Sequence, residues 1–179
     1  MLLISLLLLF LAAPSNLNKT VTTVWHGGVA PHHVLIMNEI ERFWKTANSQ
    51  YDPVVIILVG PDHHNIGQTE VTTNQQGYNY LSDLPFVQID SVIEQDHSIQ
   101  THLSIIKELF PGIPILPLVI RSDANQEQIL TLAHRLHNSL DGIGEVFVVA
   151  SVDFSHYLPL AEAEQKDIES LSRGNEFFI

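Results

Sequence analysis

The sequence predicts an α/β fold with a mainly parallel (mixed) sheet and helices on both faces. Two short runs, 54–59 and 145–150, are almost entirely apolar and rich in β-branched residues. They lack the alternation of a half-exposed strand, so they are typical of strands buried on both faces. Helical patterns alternate with strand-like runs along the 179 residues, a length that suits one domain with a single core.

The first half of the domain contains four recognisable segments and one without a pattern. β-branched residues predict a strand over 20–25, and Gly and Pro predict a loop over 26–33. Apolar residues at helical spacing predict a helix over 34–47, which the buried strand at 54–59 follows. Residues 68–85 are polar and show little periodicity, which predicts a long loop excursion.

The second half continues the alternation of strands and helices. The predicted elements are a strand at 86–89, a helix at 97–110, a strand at 113–120, a helix at 125–140, the strand at 145–150 and a helix at 160–171. Asp96 is placed to cap the helix that starts at residue 97. Pro114 and Pro117 lack the N–H that a central strand donates, so we expect the strand at 113–120 to lie at a sheet edge or to contain a bulge.

Composition restricts the class of partner and of ligand. With 45% hydrophobic and 16% charged residues, the chain is not a disordered polymer. Its 20 acidic and 8 basic residues give a net charge of -12, and the basic residues are scattered singly. Such a surface repels phosphate backbones, so we expect no nucleic-acid partner. Because there is no cysteine, any metal must be held by nitrogen and oxygen ligands.

The N-terminal segment is a nearly continuous apolar run over residues 1–13. It is shorter than the roughly 20 residues that span a bilayer and has the length of a signal-peptide core. We therefore predict a signal peptide or N-terminal membrane anchor over 1–16 and the domain over 20–179. The protein would be exported or membrane-anchored, touching the membrane only through 1–13 if this segment is uncleaved. Alternatively, residues 1–13 belong to the core and the protein is cytoplasmic.

Histidines follow three of the predicted strands, at His32, His63 and His156. Parallel strands end at the same edge of a sheet, so these three loops are expected to converge there. A single histidine after a strand is more often a hydrogen-bonding residue than a ligand, but the coincidence of three favours a shared site. His97, at a predicted helix start, is expected to join it. His102 lies on a different face of that helix from His97, so the two should not chelate one ion together.

Three chemistries remain open from the residues alone. Imidazoles with a carboxylate suit Fe(II), Cu(II) or Zn(II), and with open positions on iron they suit oxygen chemistry. On zinc the same ligands make a hydrolytic site. Without a metal, His63 or His156 would act as general base, oriented by Asp62 or Asp153.

Four segments of the chain resemble, in order and spacing, the Memo family, which is called AmmeMemoRadiSam system protein B in bacteria and archaea. They are residues 29–32 (Val-Ala-Pro-His), 57–64 (Ile-Leu-Val-Gly-Pro-Asp-His-His), 96–103 (Asp-His-Ser-Ile-Gln-Thr-His-Leu) and 151–156 (Ser-Val-Asp-Phe-Ser-His). The resemblance runs from about residue 25 to 170. It implies a fold like that of the class III extradiol dioxygenases, which bind non-haem iron.

The resemblance also implies a set of site residues. The pocket positions of Memo-like proteins fall on His32, His63, Asp153 and His156. We expect His32, His63 and His156 to hold a divalent metal, iron or copper with zinc as a further option, and Asp153 and His156 to be catalytic. The family's association with AMMECR1-like and radical-SAM proteins makes these the expected partners.

Two departures from the family pattern matter. Where many members have Pro-His-Ala-Gly, this chain has Pro-His-His-Val at 31–34, so His33 is a candidate to join the site. Family domains also continue beyond the Asp-x-x-His motif and supply a pocket cysteine there, so we expect this chain to be C-terminally truncated. The expected functions are metal-dependent redox or dioxygenase-like chemistry, a non-catalytic binding module with a vestigial pocket, or a zinc-dependent hydrolase.

Overall fold

The computed structural model describes residues 22–63, 65, 67–90, 93, 95–153 and 158–175. These residues form six strands, five α-helices and one short 3-10 helix. In chain order the elements are β1 (Val24–Ala30), the 3-10 helix (Val34–Ile36), α1 (Met37–Gln50), β2 (Val55–Pro61), β3 (Val71–Thr73), α2 (Gln75–Leu81), β4 (Val87–Ile89), α3 (His97–Leu109), β5 (Ile115–Ile120), α4 (Gln126–Ser139), β6 (Glu145–Ser151) and α5 (Leu160–Asn175).

The six strands form one sheet in the order β1-β6-β2-β5-β3-β4. The pairs β1–β6, β6–β2, β2–β5 and β3–β4 are parallel, and β3–β5 is antiparallel. The predicted α/β class with a mainly parallel, mixed sheet is therefore confirmed. This architecture is consistent with the dioxygenase-like fold that the family resemblance implies.

Helices cover both faces of the sheet, as predicted. Along β2, the side chains of Val55, Ile57 and Val59 lie on one face and join a core cluster with residues of α2 and α4. Ile56 and Leu58 point the other way and join a second cluster with residues of α1 and α3. Every residue of β2 from Val55 to Gly60 is consequently buried, which explains why this strand shows no polar alternation in the sequence.

The predicted boundary between strand and loop, after residue 25, was wrong for strand β1. It begins at Val24 and continues to Ala30, through the glycines that predicted a loop from residue 26. All seven residues pair with β6, so the parallel ladder stabilises an extended conformation that the local sequence disfavours. Packing also favours glycine at position 28, since a Cβ there would come within 2.8 Å of Cε2 of the Phe43 ring.

The predicted excursion at 68–85 contains a strand and a helix, so the prediction of a structureless loop was wrong. Strand β3 is only three residues long and lies between β4 and β5. The hydroxyl of Thr73 also donates to the carbonyl of Pro117, at 2.7 Å. Helix α2 is capped by Asn74, which accepts from the Gly77 amide at 2.9 Å. Pro117 lies 44 residues from Thr73, so local periodicity could not reveal strand β3. The Asn74 cap of α2 is local and could have been predicted.

Strand β5 lies between β2 and β3 and not at a sheet edge, which corrects the prediction made from its prolines. Pro114 precedes the strand, and Pro117 stands opposite Leu58 of β2. One proline removes one ladder donor, while its carbonyl still accepts from Thr73. Burial of the six side chains of β5 stabilises the central position by more than the loss of that one donor costs.

The predicted helices at 97–110 and 125–140 are observed almost in full, and each has a side-chain cap. Asp96 accepts from the Ser98 amide at the start of α3, as predicted, and Asn125 with Gln128 forms a capping box at the start of α4. Within the described part of the chain, none of the helices is both long and apolar enough for a bilayer span. The predicted leader at 1–16 lies outside the described residues.

Candidate metal site

Three histidines meet at the carboxyl edge of the parallel strands. His32 follows β1, His63 follows β2, and His97 is the first residue of α3. The ring centroids of His63 and His97 are 3.7 Å apart, and that of His32 lies 5.0 Å and 5.2 Å from them. One ligand nitrogen from each ring lies within 4.8 Å of the others. We call these three residues the histidine cluster.

The side chain of His32 is completely buried. Its Nδ1 lies 3.0 Å from Oγ of Ser151, and its backbone N–H donates to Oδ1 of Asp153 at 3.4 Å. Its Nε2 is 3.3 Å from Oδ2 of Asp153. Nε2 nevertheless forms no hydrogen bond with any residue that the structure describes. A buried nitrogen in this state is unfavourable unless something else, such as a metal ion, accepts its lone pair.

Burial lowers the pKa of His32 from 6.5 to about 4. The carboxylate of Asp153 acts in the opposite direction, while the neighbouring His63 and His97 lower the pKa further. At neutral pH the ring is therefore uncharged, which is the form in which imidazole binds metals.

His63 is held by the carboxylate of Asp96. Nδ1 of His63 lies 3.1 Å from Oδ1 of Asp96, and the His63 amide donates to Oδ2 at 3.3 Å. Burial raises the pKa of Asp96, but hydrogen bonds from Ser98 and His63 outweigh it and leave this pKa below its usual value. The ionised carboxylate favours a proton on Nδ1 of His63, so Nε2 is left to bind a ligand, as in carboxylate–histidine–metal arrangements.

The residue that orients His63 is thus Asp96, not Asp62 as one sequence-based alternative had it. Asp62 turns toward its own loop and accepts from the Gly67 amide at 3.1 Å. The sequence identified Asp96 only as a helix cap. A carboxylate that caps a helix and also reaches a histidine 33 residues away has no local sequence signal.

A second layer of buried polar residues lies behind His32. The indole N–H of Trp44 donates to Nδ1 of His102 at 3.0 Å, and Nε2 of His102 lies 3.1 Å from Oγ of Ser151. The Ser151 hydroxyl donates to the carbonyl of Ser98. Burial lowers the pKa of His102 from 6.5 to about 4, with His32 adding to the shift. Ser151 therefore links His102 to His32 of the cluster. In the sequence, Ser151 stood out only as the first residue of the family-like segment 151–156.

The predicted site residues fall into three groups. The structure brings together His32 and His63, with Asp153 beside His32, and adds His97. His156 lies outside the described residues, so its predicted metal and catalytic roles stay predictions. His33 is exposed, and its Nδ1 accepts from the Leu35 amide at 3.3 Å, where it caps the 3-10 helix.

The residues present fit a divalent transition metal. The cluster offers three imidazole nitrogens, one of them buried without a hydrogen bond, and Asp153 adds a carboxylate nearby. Nitrogen donors of this kind suit iron, copper and zinc and do not suit magnesium or calcium. The fold and the site together define an α/β protein with a cluster of three histidines at the carboxyl edge of a mainly parallel sheet.

Comparison with known proteins identifies the family. The model of the family described as Memo-like protein matches residues 81–176, more than half of the chain, and the chain belongs to this family. It is 27% identical over 173 residues to a MEMO1 family protein of Caldivirga maquilingensis, covering 84% of this chain and 55% of that protein. A MEMO1 family protein of Pyrobaculum arsenaticum is also 27% identical, over 82% of this chain and 59% of its own length.

The chain thus spans little more than half the length of the curated relatives it matches. No solved structure matches it significantly.

Proposed function

We propose that this chain binds one divalent metal ion, iron or copper with zinc as a further option, through the histidine cluster, and that the ion serves redox or dioxygenase-like chemistry. The observation that carries the proposal is the placement of three ligand nitrogens, from His32, His63 and His97, within 4.8 Å of one another. These residues come from three separate segments, so their convergence is a property of the fold.

Each residue of the site has a distinct role in the proposal. His32 presents a neutral ring from a buried position, because burial holds its pKa near 4. His63 presents Nε2 because Asp96 engages its Nδ1. Asp153, 3.3 Å from Nε2 of His32, is placed to hold a proton beside the cluster and acts as the base. Bound iron or copper would supply one-electron chemistry, whereas zinc would supply Lewis acidity.

Metal titration of the full chain tests the proposal. Metal-free protein is titrated anaerobically with Fe(II), and separately with Cu(II) and Zn(II), and binding is followed by calorimetry. We expect one ion per chain. His63→Ala and His97→Ala should each weaken binding by more than about 100-fold, since even the loss of groups that only orient a ligand costs roughly 10–100-fold. His134→Ala is the matched control, because His134 is an exposed histidine on α4.

The outcomes separate the candidate functions. Failure of the wild-type protein to bind any of the three ions at micromolar concentration would refute the metal site. Oxygen consumption by the Fe(II)-loaded protein with catechol as probe supports dioxygenase-like chemistry. Ester hydrolysis by the zinc-loaded protein would replace it with a hydrolase. Metal binding without either activity would instead support a non-catalytic binding module.

A further inference from the structure

We propose that Trp44, His102 and Ser151 are positioning residues that fix the tautomer of His32, with the proton on Nδ1 and the lone pair of Nε2 directed to the histidine cluster. The use of this lone pair for a metal rests on the proposed function above. The tautomer itself is a property of the chain and can be measured without any metal.

Trp44 determines which nitrogen of His102 carries the proton. An indole N–H can only donate, and it lies 3.0 Å from Nδ1 of His102. Nδ1 must therefore accept and carries no proton. The single proton of the neutral ring is then on Nε2, which faces Oγ of Ser151 at 3.1 Å. The opposite tautomer would place two N–H groups against each other in a buried site, which is strongly unfavourable.

The hydroxyl of Ser151 connects the rings of His102 and His32. This group has one proton and two lone pairs. Its proton goes to the carbonyl of Ser98, which can only accept. The two lone pairs are then left for the two imidazoles that approach Oγ, those of His102 and His32. Because Ser151 is fully buried, each of these hydrogen bonds is made in a medium of low polarity, where an unpaired group is costly.

The proton of the neutral His32 ring is therefore on Nδ1. Its Nδ1 lies 3.0 Å from an oxygen that has no further proton to give, so Nδ1 must donate. The neutral ring then has its lone pair on Nε2, the buried nitrogen without a hydrogen bond among the described residues. Under the proposed function this nitrogen would be the metal ligand, because Nδ1 is engaged by Ser151. The directions follow from the two ends of the series, which are the indole N–H of Trp44, a group that only donates, and the carbonyl of Ser98, a group that only accepts.

The fold makes this series possible because its members come from three packed elements. Trp44 lies on α1, His102 lies on α3, and both belong to the same face of the sheet. Ser151 is the last residue of β6, directly after the apolar run, and reaches the same face. The proton arrangement at His32 is therefore determined by the packing of two helices on one strand end.

Nuclear magnetic resonance of the imidazole nitrogens in the metal-free full chain tests the inference. At pH 7 we expect His32 in the Nδ1–H form and His102 in the Nε2–H form. In Ser151→Ala, Nδ1–H of His32 loses its acceptor, so the ring should change to the Nε2–H form, whose proton can reach Oδ2 of Asp153. Ser151→Thr keeps the hydroxyl and should restore the wild-type form.

Trp44→Phe provides an independent test should Ser151→Ala fail to fold. It removes the donor to Nδ1 of His102 while keeping an aromatic ring. Because the Ser151 hydroxyl still gives its proton to Ser98, His102 should keep its proton on Nε2, and its Nδ1 resonance should shift to that of a nitrogen without a hydrogen bond. Thr73→Val and Phe110→Leu are the controls. Thr73 also donates its hydroxyl to a carbonyl from a buried position, and Phe110 packs on Trp44 with no part in the series, so neither change should move the resonances of His32.

A wild-type His32 in the Nε2–H form, or one whose tautomer is unchanged in Ser151→Ala, would overturn the inference. A wild-type His102 in the Nδ1–H form, or an Nδ1 resonance of His102 that is unchanged in Trp44→Phe, would remove Trp44 from it. If the proposed metal site is correct, Ser151→Ala should also weaken Zn(II) binding by about 10–100-fold. Absence of metal binding by the wild type, with both tautomers as expected, would refute the proposed function and leave this inference standing.

Discussion

Nδ1 of His63 lies 3.1 Å from Oδ1 of Asp96, the same oxygen that caps the first turn of helix α3. One carboxylate therefore has two functions that are separable by mutation. It satisfies backbone donors at the helix start, and it orients an imidazole of the histidine cluster. His97 follows Asp96 directly in the chain, so the start of α3 positions two of the three histidines.

Replacement of Asp96 should affect both stability and metal binding. Asp96→Ala is expected to lower the free energy of unfolding by about 1–2 kcal/mol through loss of the cap. It should also weaken metal binding by about 10–100-fold because His63 is no longer oriented. Asp96→Asn keeps a good capping residue but removes the charge, so it should retain most of the stability and still lose affinity. Urea unfolding and metal titration measure the two effects.

Asn125→Ala is the matched control, because Asn125 caps α4 in the same way. It should cost a similar amount of stability and leave metal affinity unchanged. Equal losses of affinity in the two alanine variants would show that the effect of Asp96 is only structural.

The metal-free protein should become less stable as the pH falls from 6.5 to 4. His102 is protonated with a pKa near 6.5 in the unfolded chain, but burial holds its pKa at about 4 in the folded protein. Between these values the unfolded state binds more protons, so the free energy of unfolding decreases as the pH is lowered and levels off below 4. A pKa shift from 6.5 to about 4 corresponds to a decrease in the free energy of unfolding of roughly 3 kcal/mol.

Urea unfolding at a series of pH values measures this dependence. The pKa of His32, the histidine whose protonation disfavours that of His102, is lowered in the same way, so His32 adds to the slope. His102→Gln should reduce the slope in this window, while His134→Gln, on an exposed position, should not. A stability that is flat between pH 6.5 and 4 would contradict the burial argument. Asp96 acts separately, since its lowered pKa makes its contribution disappear only below about pH 3.8.

Gly60→Ala should disturb the site through packing alone. A Cβ at Gly60 would lie 2.7 Å from Cβ of Ser98 and also meet the Ser98 hydroxyl. The first turn of α3 would have to move away from β2, with a cost of about 1–3 kcal/mol. Because Asp96 and His97 belong to the same turn, metal affinity should fall as well.

Gly112→Ala is the comparison variant for this prediction. Gly112 has a φ of 82° and open space around its Cβ position, so the substitution costs only backbone strain of about 1–2 kcal/mol. Metal affinity should be unchanged. If Gly112→Ala reduced affinity as much as Gly60→Ala, general destabilisation and not displacement of α3 would be the cause.

Asp153→Asn separates metal binding from proton transfer. Asparagine keeps an oxygen that can accept from the His32 amide, as Oδ1 of Asp153 does at 3.4 Å. The metal stoichiometry should stay at one ion per chain. Catechol-dependent oxygen consumption should fall by about 100-fold or more, since a positioned base contributes roughly 10²–10⁴-fold. An unchanged rate in Asp153→Asn would rule out Asp153 as the base.

The sequence by itself determined the fold class and the outline of the site. The unbroken apolar runs of β2 and β6 require burial on both faces, and parallel strands bring His32 and His63 to one edge wherever the other elements lie. The helix at His97 and its Asp96 cap were also readable, because capping and helical periodicity act within a few residues.

Only the tertiary structure decided which partners these residues have. Asp96 meets His63 across 33 residues, Trp44 meets His102 across 58, and Ser151 meets His32 across 119. The central position of β5 was decided in the same way, by neighbouring strands and not by its own prolines. Hydrogen bonds between distant residues depend on how helices and strands pack, and a local pattern contains no information about that packing.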